Sequence, residues 1–297
     1  MNQLIQKINR KSLIIRPSGR STDFISPSFG FGCVYNCSYC YMKRHKPKGL
    51  DIANNPEDIL TAVNNHVYFA EVDKPNQTHP SYITYDISCN EDFALHAKFH
   101  DWQYIFDYFR DHPLAMGSFA TKYVNESLLD YNPQGKIRIR FSLMPNKYAR
   151  VLEPNTTSID LRIKNIDRFI KAGYDVHINF SPVIVADDWL VEYGELFRQI
   201  QGTVEYKDKV KAEVIFLTHN RSKHIYNTLN DITGEDLIWR PDIQESKVSQ
   251  YGGENLRYQH TLKAEYIKEF TKLHDSIIPW NTIRYCFTFL LLLSQII

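Results

Sequence analysis

The sequence predicts an α/β fold, a partial (β/α)6 barrel open on one side. Three observations lead there. Short runs with strand-like alternation are followed repeatedly by longer runs with helical spacing, the order that puts a parallel sheet inside a layer of helices. No solenoid repeat, low-complexity linker or clear boundary divides the 297 residues, a length that suits one barrel-sized unit or two smaller ones. The strand candidates are apolar on one face only, so their second face lines something other than a hydrophobic layer.

In chain order, the strand candidates are 24–28, 82–88, 117–122, 136–142, 175–185 and 212–218. The helix candidates are 56–69, 95–110, 158–172, 189–200, 222–229 and 261–274. Helix 95–110 sets Phe99, Trp102, Ile105, Phe106 and Phe109 at helical spacing, a core stripe. Asn155, Thr156 and Thr157 offer N-cap chemistry before helix 158–172, and Gly173 closes it. Strand 82–88 alternates Ile83, Tyr85 and Ile87 with Thr84, Asp86 and Ser88. Strand 136–142 alternates Ile137, Ile139 and Phe141 with Arg138, Arg140 and Ser142, and strand 175–185 alternates Val176, Ile178 and Phe180 with His177, Asn179 and Ser181. If the apolar faces meet the helices, the polar faces line a wet lumen holding Asp86, Arg138, Arg140, His177 and Asn179.

Composition narrows the class. A hydrophobic fraction of 43% and an aromatic fraction of 13% describe a folded globular chain. The net charge of +1 supplies no global field for nucleic acid, so such a partner needs a local basic patch. Five cysteines, three of them clustered, argue against a disulfide framework and for a reducing, cytoplasmic compartment. Residues 1–23 read as a basic N-terminal arm, residues 24–285 as the barrel body and residues 286–297 as an apolar tail. That tail is shorter than the ~20 residues that span a bilayer, so no membrane partner is expected, and the chain is read as a monomer.

The chemistry concentrates at residues 29–46. Cys33, Cys37 and Cys40 are spaced C-x3-C-x2-C. Thiolates that close in one loop can converge on one soft metal centre. A 4Fe–4S cluster takes four cysteines, so three leave one iron open to bind a small molecule. The alternative is a structural Cys3His zinc site completed by His45, in a non-catalytic nucleic-acid-binding protein.

The motif, with an aromatic residue before its last cysteine, resembles that of the radical S-adenosylmethionine (SAM) enzymes. The resemblance implies a 4Fe–4S cluster on Cys33, Cys37 and Cys40 whose open iron is chelated by SAM. One electron then cleaves SAM to methionine and a 5′-deoxyadenosyl radical, which abstracts hydrogen from the substrate. A flavodoxin- or ferredoxin-type protein would supply the electron. From about Ser26 to Tyr285 the chain is similar to the spore photoproduct lyase family, in its broad lyase-like branch, through GCVYNCSYCY, DISCNED, FATKYV, RIRFSLMP, EPNT, AGYDVHINFSPVIV, KVSQYGG and IPWNTIRY. This implies carbon–carbon bond cleavage in a thymine-dimer DNA lesion; a small molecule or modified nucleotide is the second substrate reading.

Residue by residue, the resemblance makes Cys89 the thiol that returns hydrogen to the product radical. It makes Tyr39 and Tyr41 relays, and Lys122, Ser142, Ser181 and Glu91 cofactor contacts. The family has serine at Glu91, so that contact changes, and alanine at Ser181, which leaves a backbone contact there. An arginine–tyrosine pair that holds the lesion in the family matches Gln250 and Tyr251, so the arginine is missing. Arg138, Arg140 and His177 join Tyr251 as expected substrate contacts. Lys43, Arg44, His45, Lys46 and Lys48 form one basic patch, and Lys207, Lys209 and Lys211 another.

Overall fold

The computed structural model describes residues 5–19, 21–69, 73–248 and 253–286. Its centre is an eight-stranded sheet: β1 (Arg16–Pro17), β2 (Phe24–Ile25), β3 (Ile83–Asp86), β4 (Ala115–Thr121), β5 (Ile137–Ser142), β6 (Asp175–Val183), β7 (Lys211–Phe216) and β8 (Ile283–Cys286). The strands stand side by side in chain order. β1 pairs antiparallel with β2, and every later pairing is parallel. β1 and β8 do not pair, yet Arg284 Nη2 donates to the Ser21 carbonyl and the Tyr285 hydroxyl to that of Gly19, each at 2.9 Å. The expected α/β partial barrel is therefore present, with all six anticipated strands and two more at its edges.

The alternation explains the curl. Ile137, Ile139, Phe141, Val176, Ile178 and Phe180 are fully or almost fully buried. Phe141 meets Phe169 of helix Ile159–Lys171 at 5.2 Å between ring centroids, and Phe180 meets Phe197 of helix Trp189–Thr203 at 5.4 Å. Helices thus cover the outer face, as apolar area demands.

The inner face is polar but not wet at its floor. Arg138 Nε lies 2.6 Å from Asp175, and its Nη2 donates to the Thr78 carbonyl at 3.3 Å. His177 sits 3.2 Å from Asp175 and 3.7 Å from Glu213, which also contacts Arg140 and Arg284. Burial alone would raise the Glu213 carboxyl, but His177, Arg140 and Arg284 hold it well below its ordinary range. Side chains expected in an open lumen partly neutralise one another in a packed floor.

Two local expectations are corrected. The single helix over 95–110 is two, Phe93–His96 and Gln103–Asp111; the Asp101 carboxylate, just before the second, accepts the Gln103 N–H at 2.9 Å in a local turn. Phe99 falls in the break and is exposed rather than part of the core stripe. The N-cap of helix Ile159–Lys171 is Ser158, which accepts from the Leu161 N–H; Thr156 instead bonds Glu153 and Arg162. Gly173, at φ 91°, ends that helix in the left-handed region glycine favours.

Smaller sheets flank the barrel. Ile5–Ile8, Leu50–Ala53 and Gly30–Gly32 form one, and Thr218–His219, Glu254–Tyr258 and Gln244–Val248 the other. Ile5–Ile8 and Arg16–Pro17 are thus paired into two different sheets. Cys286 ends β8, whereas 287–297 lie outside the described residues. Among the described residues no helix is long and apolar enough to cross a membrane.

Candidate active site

Cys33, Cys37 and Cys40 occupy the loop between strand Gly30–Gly32 and helix Met42–His45. The Cys40 N–H closes a turn onto the Cys37 carbonyl at 3.0 Å. Cys33 Sγ accepts the Tyr35 N–H at 3.4 Å, and Tyr35, Leu95, Tyr39 and Tyr123 pack around the trio. Burial pushes the Cys33 thiol up to about 12 and Cys37 well above its ordinary value. Thiols held in this way become ligands when a soft metal displaces their protons.

The chemistry of this donor set fits an iron–sulfur cluster better than a single ion. Among the described residues, the group of three potential ligands whose atoms lie within 4.8 Å of one another is His219, His224 and Glu235, not the cysteines. One tetrahedral zinc would draw its sulfurs to under ~4 Å. His45 faces Arg44 and the Tyr41 ring instead, so the Cys3His alternative is not met.

The loop roofs a cavity of about 760 Å³ over the C-terminal ends of the parallel strands. Cys33, Cys37, Cys40, Tyr39, Tyr41, Cys89, Glu91, Lys122, Ser142 and Ser181 all line it, with Asp86, Arg140 and Asn179 below. Arg138 and His177 do not, being held in the floor network. Tyr251 and Gln250 lie outside the described residues.

Cys89 follows β3. The Tyr41 hydroxyl donates to its carbonyl at 2.9 Å and to Asn90 Oδ1 at 2.8 Å, and Arg16 Nη2 lies 3.8 Å from its sulfur. Tyr41 is therefore tied to the thiol's own segment. Tyr39 is not: its hydroxyl donates to Glu153, which pairs with buried Arg162 at 2.9 Å. Lys122, at the end of β4, sets its ammonium 5.6 Å from the centre of the Tyr39 ring. Burial alone would lower its pKa, but Glu153 and Cys37 raise it, so it stays charged in the cavity wall.

Glu91 behaves differently from its expected role as a cofactor contact. Its Oε1 accepts the Gly30 N–H at 2.7 Å, and its Oε2 lies 2.5 Å from His96 Nδ1, with both side chains fully buried. The carboxylate that replaces the family's serine is thus spent inside the protein.

Sequence reasoning missed Arg16, Asp92 and Glu153. Asp92 caps helix Phe93–His96 through Leu95 N–H and also takes Thr121 Oγ1 at 2.6 Å and Lys122 N–H at 2.8 Å, fixing the end of β4. An aspartate just before an apolar run was its available signal. Of the basic patches, Lys43 reaches the cavity and Lys46 is paired with Asp51 at 2.6 Å. Lys207 and Lys209 lie over Trp280 and Tyr206. Lys247, Arg257 and Lys263 also line the cavity, which was not foreseen, with Arg257 paired to Glu245 at 2.8 Å.

Comparison with known proteins agrees with this geometry. The family model described as spore photoproduct lyase matches residues 3–288. The spore photoproduct lyase of Bacillus subtilis (strain 168) is 27% identical over 198 residues, 66% of this chain and 56% of that protein. That of Geobacillus sp. (strain Y412MC61) is 25% identical over 243 residues, 80% of this chain and 67% of that protein. Among solved structures, a mutant spore photoproduct lyase with bound AdoMet and dinucleoside spore photoproduct superposes with a TM-score of 0.84 at 19% identity, over 95% of this chain and 82% of that one. A spore photoproduct lyase complexed with dinucleoside spore photoproduct gives 0.83 at 20% identity, with the same coverage. With a cysteine-roofed cavity at the strand ends and a family match over nearly its whole length, the chain belongs to the spore photoproduct lyase family.

Proposed function

We propose that this protein is a radical SAM lyase that breaks a carbon–carbon bond in a thymine-dimer lesion of DNA. Cys33, Cys37 and Cys40 would hold a 4Fe–4S cluster, and SAM would occupy the adjoining cavity. When bound, cluster and SAM together supply, on one-electron reduction, a carbon-centred radical able to take a hydrogen atom from the substrate. The observation that carries the reading is the sharing of one cavity wall by the three thiols, Cys89, Tyr41 and Lys122.

The chain's own residues divide the work. Lys122 presents a fixed positive charge for the carboxylate of SAM. Ser142 and Ser181 line the cavity beside it at the ends of β5 and β6, where barrel enzymes assemble their sites. Cys89 would return hydrogen from its weak S–H bond to the product radical, and the thiyl left on it would regain hydrogen from the cofactor side through Tyr41, the neighbouring relay. Tyr39, committed to Glu153, braces the loop. Lys43 and Lys263, which line the cavity, suit a phosphodiester backbone. Residues 24–285 form the catalytic body, Arg16 of the arm reaches in to Cys89, and a flavodoxin- or ferredoxin-type partner supplies the electron.

The test is anaerobic reconstitution followed by incubation with SAM, dithionite and the dinucleoside spore photoproduct. Restored thymine and 5′-deoxyadenosine are expected. SAM cleavage without repair of either the dinucleoside or a lesion-bearing oligonucleotide would move the substrate to a small molecule or modified nucleotide. A colourless protein with one zinc would end the radical reading.

A further inference from the structure

A polar node of His219, His224 and Glu235, the first of them buried, lies next to the cysteine loop. His219 ends strand Thr218–His219, His224 lies in helix Arg221–Leu229, and Glu235 opens helix Glu235–Ile238 after Gly234. Glu235 Oε1 is 2.9 Å from His219 Nε2 and 2.6 Å from His224 Nδ1, and its Oε2 accepts Asn227 Nδ2 at 2.6 Å. The His224 ring stacks on Trp239, 3.9 Å away and inclined by 7°, which fixes its orientation. Each carboxylate oxygen of Glu235 is thus engaged within the node.

The same elements grip the loop. The Asn227 amide nitrogen that meets Glu235 also donates to the Ser38 carbonyl at 2.9 Å. Lys223 Nζ donates to the Tyr39 carbonyl and to that of Thr218, each at 3.2 Å. Ser38 is held twice more, its N–H on Leu152 O at 2.9 Å and its Oγ on Thr233 O at 2.7 Å. Ser38 and Tyr39 are the two residues between Cys37 and Cys40.

We propose that Glu235, through Asn227 and together with Lys223, is a positioning device for the 37–40 turn, setting where the last two cysteine sulfurs stand. The idea rests on the cluster reading only for its consequence, since the hydrogen bonds exist in the bare chain. An amide hydrogen-bonded to an ionised carboxylate cannot rotate freely, so its second hydrogen stays aimed at Ser38. Removing the carboxylate frees the amide, and the turn gains alternative conformations.

The test uses the reduced, cluster-free full chain and the alkylation rate of each cysteine by iodoacetamide, read by mass spectrometry. Asn227→Ala, Glu235→Gln and Lys223→Met should each raise the rates at Cys37 and Cys40 roughly tenfold, the scale of losing one or two buried hydrogen bonds to charged groups. Cys89 and Cys286 should keep their wild-type rates, and Lys223→Arg should restore protection. In reconstituted protein, the reduced cluster of the same variants should show a broadened paramagnetic resonance signal. Unchanged rates at Cys37 and Cys40 overturn the proposal, as does a rise at all five thiols together, which marks global loosening. One zinc per chain that is retained by a Cys33, Cys37 and Cys40 triple alanine variant and lost with Glu235→Gln would make the trio a metal site and overturn it too. A wild type that never assembles a cluster, with the alkylation pattern as expected, would sink the radical reading and leave this one standing.

Discussion

The Tyr41 hydroxyl donates to the Cys89 carbonyl at 2.9 Å, which fastens the residue after the last loop cysteine to the segment that follows β3. The contact joins the two halves of the proposed chemistry, radical generation in the loop and hydrogen return at the strand end. Tyr41→Phe removes this bond and the one to Asn90, at a cost of about 1 kcal/mol. The expected result is near-normal 5′-deoxyadenosine formation with a changed product distribution, because the thiol segment loses its tether. Cys89→Ala should give the same split more sharply. Liquid chromatography of both products decides it, and unaltered product ratios in Cys89→Ala would take that thiol out of the mechanism.

Cys40→Ala makes the complementary claim. Its sulfur is one of only three in the loop, so the variant should retain less iron and sulfide after reconstitution and release no 5′-deoxyadenosine under dithionite. Full cleavage activity in a variant with wild-type iron content would remove the loop as the cluster site.

Gly30 tests the Glu91–His96 pair. A Cβ at Gly30 would stand 2.2 Å from Glu91 Oε2 and 2.3 Å from His96 Nδ1. Both side chains are fully buried and must shift to admit it, so Gly30→Ala should lose about 2 kcal/mol or more of stability. Adding Glu91→Ser should recover part of that loss, a non-additivity expected of groups in contact. A urea midpoint unmoved by Gly30→Ala would show that the pair can shift aside.

How legible this was depends on how far apart the partners lie. Three of the six central strands announced themselves by alternating apolar residues that helices must cover, as in Ile137, Ile139 and Phe141. β1 is two exposed residues with no pattern, and β8 is evenly half-buried, so neither leaves a period to read. The site followed the same rule. Cysteine spacing is local, and Lys122, Ser142 and Ser181 sit at strand ends that alternation locates. Glu153 meets Tyr39 across 114 positions and Arg16 meets Cys89 across 73, relationships that only the closed barrel creates. The inward face misled for a physical reason: polar residues there implied water, yet Arg138, His177, Asp175 and Glu213 are close enough to compensate one another.

The Glu91–His96 pair also carries a pH signature. Burial alone would lower the His96 pKa, but the adjacent Glu91 carboxylate raises it above its ordinary 6.5. A folded value above the unfolded one means the contribution is fully present below pH 6.5 and is lost as pH rises through the folded pKa. Wild-type stability should therefore decline across neutral pH relative to Glu91→Gln, which lacks the charge pair. Urea midpoints of both proteins measured across that range check it, and parallel curves would show that His96 is neutral throughout.

Arg138 and Arg140 stand two residues apart on one face of β5 and should fail in different ways. Arg138 is locked to Asp175 and the Thr78 carbonyl beneath the cavity, while Arg140 bridges Asp86 and Glu213 and lines it. Arg138→Met leaves Asp175 with His177 alone and should cost about 3 kcal/mol, the scale for breaking a buried ion pair. Assayed below its melting point, that variant should still cleave SAM, because no atom of the cavity wall has changed. Arg140→Met should lose stability and cleavage together, since Asp86 loses its guanidinium partner next to the cofactor space while Glu213 keeps only Arg284 and His177. Thermal melts paired with 5′-deoxyadenosine yields separate the two. Equal loss of cleavage in a folded Arg138→Met protein would mean that the floor network reaches the chemistry.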